Sequence, residues 1–292
     1  MKHPTFGKIT YIIIILTLLC AALVLGSCSP DEQNASGKNV PVLMYHHVSA
    51  EGNGGTIIST EGFERQIRAL SEAGYTPVSV QEMIDFVHRG GELPEKPVCI
   101  SFDDGYESNF SLAGPILEKY GMKATVFCIG SSMGKSTYKD SGEPIIPHFS
   151  AQEALEMSKK GTFCIQSHTW DMHQSEKFES GAARTCIRPL AGETDNAFAA
   201  ALKADCEKQR QYFTGNGLPV PEALAYPGGV YSELSEEVLH KDCGILATFT
   251  VDSNGTNTLE PGKPESLYLL HRLDMTDSVS ADDLLDYLKI HA

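Results

Sequence analysis

Residues 97–105 read PVCISFDDG. A short apolar run, 98–102, ends in two adjacent carboxylates, Asp103 and Asp104, and then a glycine. A run of this length bounded by turn residues predicts a strand buried on both faces, as in a parallel sheet. Asp-Asp-Gly by itself is ordinarily a solvated turn. It becomes a site only if other reactive side chains fall at the ends of neighbouring strands.

Working outward, short apolar runs alternate with amphipathic stretches, the pattern of βα units around a largely parallel sheet. Strands are expected at 40–45, 76–78, 98–102, 124–129, 162–167, 223–226, 245–250 and 268–273. Helices are expected at about 63–73, 80–89, 109–120, 151–160, 195–213, 232–241 and 281–290. Ser79 with Glu82, Ser150 with Glu153 and Ser280 with Asp283 have capping-box spacing. Gly74, Gly121 and Gly161 fall where helices should stop. Residues 175–194 lack a period and read as an inserted surface loop. Neither GxGxxG nor GxxxxGK[ST] occurs, which favours a (β/α) barrel over a nucleotide-binding open sheet.

In barrels, reactive groups gather at the C-terminal ends of strands. The run at 98–102 is followed by Asp103 and Asp104. That at 162–167 is followed by His168 and His173, in SHTWDMH. The run near 224 leads into AYPGGVY, and the last expected strand carries His271 and Arg272. One carboxylate and two imidazoles make a three-ligand site for a divalent metal with a position left open, zinc by default and cobalt or nickel as alternatives. Such an ion activates water and polarises a carbonyl. The second carboxylate is then free to take a proton from water. Successive residues at a strand end diverge in direction, so the two acids can have separate roles.

SFDDG, SHTWDMH and the YPxG of AYPGG together resemble the motifs of NodB-type polysaccharide deacetylases, over roughly residues 40–275. The resemblance implies an α/β fold, a distorted (β/α)7 barrel, and hydrolysis of N-acetyl groups on an N-acetylglucosamine polymer. It implies Asp103 as general base, with Asp104, His168 and His173 as metal ligands. VLMYHHV (42–48) is similar to the start of the poly-N-acetylglucosamine branch, which places Tyr45 and His46 along the groove or behind the site. His47 there reads equally well as an ordinary polar residue. Tyr226 matches positions whose backbone N–H donates to an oxyanion.

Three departures from the family pattern carry consequences. One extra residue separates His168 from His173, as in the poly-N-acetylglucosamine branch. The arginine that normally holds the base falls on Ala225, and Arg272 is the candidate replacement. Leu269-Leu270-His271 fits the family's Leu-x-His motif for the general acid. Strand alternation sends neighbours to opposite sides; with Arg272 inward, His271 is the weaker candidate and the acid is left unassigned. Trp170 reads as loop core rather than a sugar platform, and Asp171 and Asp252 as loop or turn acids or as partners of site residues.

The first 28 residues have the layout of a secretory signal, with Lys2 and Lys8, an apolar stretch, and then LGSC. Cys28 reads as a lipidation site, which implies a lipoprotein tethered on the outer side of a bacterial cytoplasmic membrane, with an uncleaved anchor as the alternative. Residues 29–39 read as a flexible linker and 40–292 as one catalytic domain. Without Lys2 and Lys8, 21 basic side chains face 38 acidic ones, a balance of −17. That argues against nucleic acid as a partner and fits an N-acetylated, uncharged polysaccharide. Cys99, Cys128 and Cys164 read as buried hydrophobes, and a disulfide among Cys186, Cys206 and Cys243 is compatible with export. Two other functions fit the same residues: hydrolysis of a non-sugar amide or cyclic imide, and glycan binding without turnover.

Overall fold

The computed structural model describes residues 37–292 apart from positions 53, 139–141 and 175–182. The signal sequence, Cys28 and the linker up to residue 36 lie outside the described residues. Among the described residues, no helix is long and apolar enough to cross a membrane. In chain order the strands are β1 (Lys38–Asn39), β2 (Val42–Tyr45), β3 (His47–Ser49), β4 (Ile57–Ser59), β5 (Thr76–Pro77), β6 (Pro97–Phe102), β7 (Ala124–Cys128), β8 (Phe163–Ser167), β9 (Ala223–Ala225), β10 (Ala247–Phe249), β11 (Thr258–Leu259) and β12 (Leu273–Asp274). The helices are α1 (Thr60–Glu72), α2 (Val80–His88), α3 (Gly114–Lys119), α4 (Ala151–Lys160), α5 (Asp195–Gly215), α6 (Glu233–Asp242) and α7 (Ala281–His291).

Seven strands form the wall, in the order β10-β9-β8-β7-β6-β2-β12, with β5 alongside β6. All of these pairings are parallel. The chain closes the circle through residues 268–274. Leu270 forms a parallel bridge to Phe249 of β10, and three residues later Leu273 pairs with Leu43 of β2. This segment is not the continuous strand expected at 268–273. Leu269 has φ 55, a left-handed conformation costly for leucine, and it breaks the strand. The result is a distorted barrel with one irregular seam.

The six residues of β6 and the five of β7 are all buried, which is why they read as nearly continuous apolar runs, interrupted only by Ser101 and Thr125. Alternate residues serve different cores. Ile100 and Phe102 join one apolar cluster, with Val126 and Ile165. Cys99 joins another, with Phe127 and Phe249. Asp103 shares the parity of Cys99, so it emerges on the Phe127 side.

Local signals set the helix starts. Ser79 with Glu82, Ser150 with Glu153, and Ser280 with Asp283 form complete capping boxes, and Ser232 with Ser235 adds another. Gly161 closes α4 in the left-handed conformation, φ 76. The helix expected at 109–120 begins as a π-helical turn, Asn109–Ala113, before α3.

Two expectations need correction. The linker does not run to residue 39, because β1 pairs antiparallel with β11 and so belongs to the fold. The described end of the 175–194 insertion is not simply surface: Ile187 is fully buried, and buried Arg184 pairs with Glu193. Cys186, Cys206 and Cys243 are free thiols, as are Cys99, Cys128 and Cys164.

Candidate active site

The two acids after β6 diverge as the strand geometry requires. Asp103 is 2 % exposed and its N–H donates to the carbonyl of Tyr45 (2.9 Å), which continues the β2–β6 ladder by one step. Asp104 then turns out of the strand with φ 68, a left-handed conformation rare for a side chain other than glycine. Gly105 must be glycine. Its φ is 85, and a Cβ there would stand 2.7 Å from Cys128 Cβ. Strain of this kind persists only where surrounding structure enforces it, and it collects at functional sites.

Asp104, His168 and His173 come together, with one ligand atom from each lying within 4.8 Å of the others. Each imidazole Nε2 is 3.6 Å from Asp104 Oδ1. That oxygen is buried and has no hydrogen-bond partner. His168 Nδ1 lies 2.8 Å from the carbonyl of Ala225; as the N–H tautomer it donates there, leaving the Nε2 lone pair directed at Asp104. Burial lowers the His168 pKa to about 4, so the ring is neutral near pH 7. An acceptor without a donor, facing the ring nitrogens of two imidazoles, suits a cation better than a proton, and the N₂O donor set suits zinc.

Arg272 is fully buried and reaches Asp103 in a two-pronged pair, Nη1 to Oδ1 at 2.6 Å and Nη2 to Oδ2 at 2.8 Å. Its Nε donates to the Thr250 carbonyl at 2.7 Å, and its guanidinium lies over the Phe127 ring. The guanidinium thus meets the Asp103 carboxylate from the irregular seam, in place of an arginine at position 225. Burial alone would raise the Asp103 carboxyl. Arg272 outweighs it, with help from His168 and His46, and holds the carboxyl well below the usual range.

Other expected residues lie elsewhere or act differently. His271, the neighbour of Arg272, packs its ring against Gly255, with Nδ1 3.6 Å from Asp252, away from Asp103. Tyr226 cannot offer its backbone N–H to an oxyanion, because that N–H donates to the Phe249 carbonyl at 2.9 Å. Its side chain is fully buried and donates to Glu236 at 2.6 Å. Tyr45 does not line a groove: its ring is core against Phe63, its hydroxyl donates to Gln66, and only its carbonyl supports Asp103. His46 is half-buried, electrostatically felt by Asp103, and its Nδ1 is buried without a partner. His47 bonds Ser108 (2.8 Å). Trp170 packs on Tyr212, and Asp171 accepts from Ser131 and Gln174. Asp252 caps its own turn at Asn254.

Two site residues escaped the sequence reading. Tyr106, directly after the DDG, is largely enclosed; burial first, and then its contact with Asp104, push its hydroxyl far up. His148 lies beside it, ring centroids 5.0 Å apart, with its Nδ1 buried and unpartnered. Tyr106 was within reach because it adjoins the acids. His148 sits in an aperiodic stretch with no local signal.

The comparisons with known proteins agree with this geometry. The chain is 28% identical over 253 residues to YxkH of Bacillus subtilis (strain 168), named provisionally as a polysaccharide deacetylase, covering 86% of this chain and 76% of that one. It is 28% identical over 195 residues to the poly-beta-1,6-N-acetyl-D-glucosamine N-deacetylase of Staphylococcus aureus (strain MRSA252), covering 67% of this chain and 61% of that protein, so it spans under two thirds of that relative. A solved de-N-acetylase from Aggregatibacter actinomycetemcomitans shares the fold at TM-score 0.72 and 22% identity, over 86% of this chain and all of that one. The polysaccharide deacetylase family model matches residues 90–245, from ahead of Asp103 to beyond Ala225. Because that match covers more than half the chain and includes both motifs that converge on Asp104, the protein belongs to the polysaccharide deacetylase family.

Proposed function

We propose that this enzyme removes N-acetyl groups from an N-acetylglucosamine polysaccharide of the poly-β-1,6 type, using a divalent metal and working at the cell surface behind a lipid anchor at Cys28. The observation that carries the chemistry is the Asp103–Arg272 pair beside the Asp104, His168 and His173 cluster. Asp104, His168 and His173 would hold the ion, which when bound supplies Lewis acidity toward the acetamido carbonyl and water.

Asp103 takes the proton from the attacking water. Arg272 keeps its carboxylate ionised and pinned in one orientation, both oxygens engaged. The Ala225 carbonyl holds the His168 ring. His46 follows Tyr45, which pairs with Phe102 just ahead of Asp103, and its Nδ1 is buried without a partner; we assign it as the acid that protonates the departing amine. The substrate class rests on the name of the staphylococcal relative and on the HHV and His-x4-His features of this chain. Glycan binding without turnover loses its motive, since the arginine absent at Ala225 is replaced by Arg272.

The test is acetate release from poly-β-1,6-N-acetylglucosamine, chitooligosaccharides and peptidoglycan, with and without a chelator. Release from the first, abolished by chelator and restored by zinc, is expected. Release only from a small amide or imide, or none from any glycan by zinc-loaded enzyme, would overturn the assignment.

A further inference from the structure

The loop 168–173 must carry His173 back to the carboxylate that His168 also faces. Its backbone turns at Thr169 with φ 73, again left-handed without glycine. Thr169 Oγ1 accepts from the Met172 N–H at 2.9 Å. The two amides between them, Trp170 and Asp171, find their acceptor outside the loop. Asp205 of α5 takes both, Trp170 N–H on Oδ2 and Asp171 N–H on Oδ1, each at 2.8 Å.

Asp205 is 7 % exposed, so the clamp is sheltered from water. The same helix adds two more contacts about one and two turns on. Gln209 donates to the Cys128 carbonyl at 3.4 Å, and that carbonyl also receives the His168 N–H at 2.9 Å. Tyr212 packs on the Trp170 ring at 5.3 Å. Behind the loop lies a cleft of about 240 Å³ lined by Trp170, Asp171, Met172 and Asp205, among others, so close packing does not restrain the loop on that side.

We propose that Asp205 is a positioning residue for the metal site. Its carboxylate holds the Trp170 and Asp171 amides and so fixes where His173 stands relative to His168 and Asp104. This rests on the metal-site reading above. The wide His-x4-His spacing leaves two adjacent amides in need of an acceptor, and one buried carboxylate satisfies both. An amide in its place offers one acceptor and turns an NH₂ toward an N–H.

The test is zinc titration of full-length wild type, Asp205→Asn and Asp205→Glu, with the visible spectrum of each cobalt-substituted protein. Asp205→Asn is expected to weaken zinc binding by about 10-fold or more, on the scale of lost supporting bonds around a metal ligand. Its cobalt spectrum should change, and Asp205→Glu should recover part of the affinity. A folded Asp205→Asn protein with wild-type affinity and spectrum would overturn the role while leaving the metal site intact. A wild type that binds no zinc would overturn the metal site itself, and this role with it. Should Asp205→Asn fail to fold, hydrogen exchange in the metal-free wild type decides: Trp170 and Asp171 amides protected like the sheet support the clamp, and exchange at the rate of exposed loops refutes it.

Discussion

The two sides of the barrel build the site by different means. On one side β6, β7 and β8, six, five and five residues long, are fully regular, and the polar side chains of the candidate site follow directly at the strand ends: Asp103 and Asp104 after Phe102, His168 after Ser167. On the other side β9, β10 and β12 have three, three and two residues. Their pairing is thin: β8 meets β9 through a single residue pair, and the Gln166 side chain takes the Glu222 and Ala223 amides instead. This side supplies the Ala225 carbonyl, which orients His168, and Arg272, which holds Asp103. The regular side thus presents the reactive groups, and the irregular side tunes them.

If that division is right, the largest effect comes from the regular side. Asp103→Asn should lower kcat by about 10²–10⁴-fold, the range for a lost general base, while zinc content by elemental analysis stays at the wild-type value. Asp104→Asn should lose the metal as well, and zinc retained in it would break the assignment of the two acids. Next comes the irregular side. Arg272→Met leaves a buried carboxylate unpaired and should cost about 3–5 kcal/mol in urea denaturation, with activity falling too. A stable, active Arg272→Met would show that the seam only closes the barrel.

A smaller effect lies in the pH dependence. The folded Asp103 carboxyl is held below the unfolded value of about 4. A depressed acid contributes stability that is full above the unfolded pKa and lost as pH falls through the folded one. From pH 6 to pH 2.5, wild type should therefore lose more unfolding free energy than Asp103→Asn. Equal losses would deny the ion pair its role. The smallest effect is a change remote from the site on the regular side. Ser79→Ala removes the cap of α2 and should cost about 1 kcal/mol in thermal or chemical unfolding, with kcat unchanged.

What the sequence reveals of the fold follows the same division. β6, β7 and β8 were legible because buried parallel strands are mostly apolar, and α4 because its cap is made by neighbours in sequence. The 268–273 strand was misread because the left-handed Leu269 belongs to the closure of the barrel, which no local pattern encodes. The same holds in the site. Asp103, Asp104, His168 and His173 follow from strand ends, and strand alternation correctly separates Arg272 from His271. The Tyr226 N–H was misassigned because its partner, Phe249, lies on another strand. Asp205 sits in an amphipathic helix, where a buried acid looks like any other until the loop it holds is in place.

The broken seam also sets an order of assembly. Arg272 stands 169 residues after the carboxylate it neutralises. A chain growing from its N-terminus completes β6 and its neighbours while Asp103 has no counter-ion. Burying that charge alone is unfavourable, so the half-made barrel has reason to stay open, hydrated or protonated at its centre. The arrival of residues 268–274 joins the last strand to the first and delivers the guanidinium in the same movement. Asp103 thus gains its counter-ion only at the final closure, and a chain cut short before Arg272 would lack both the counter-ion and the closed barrel.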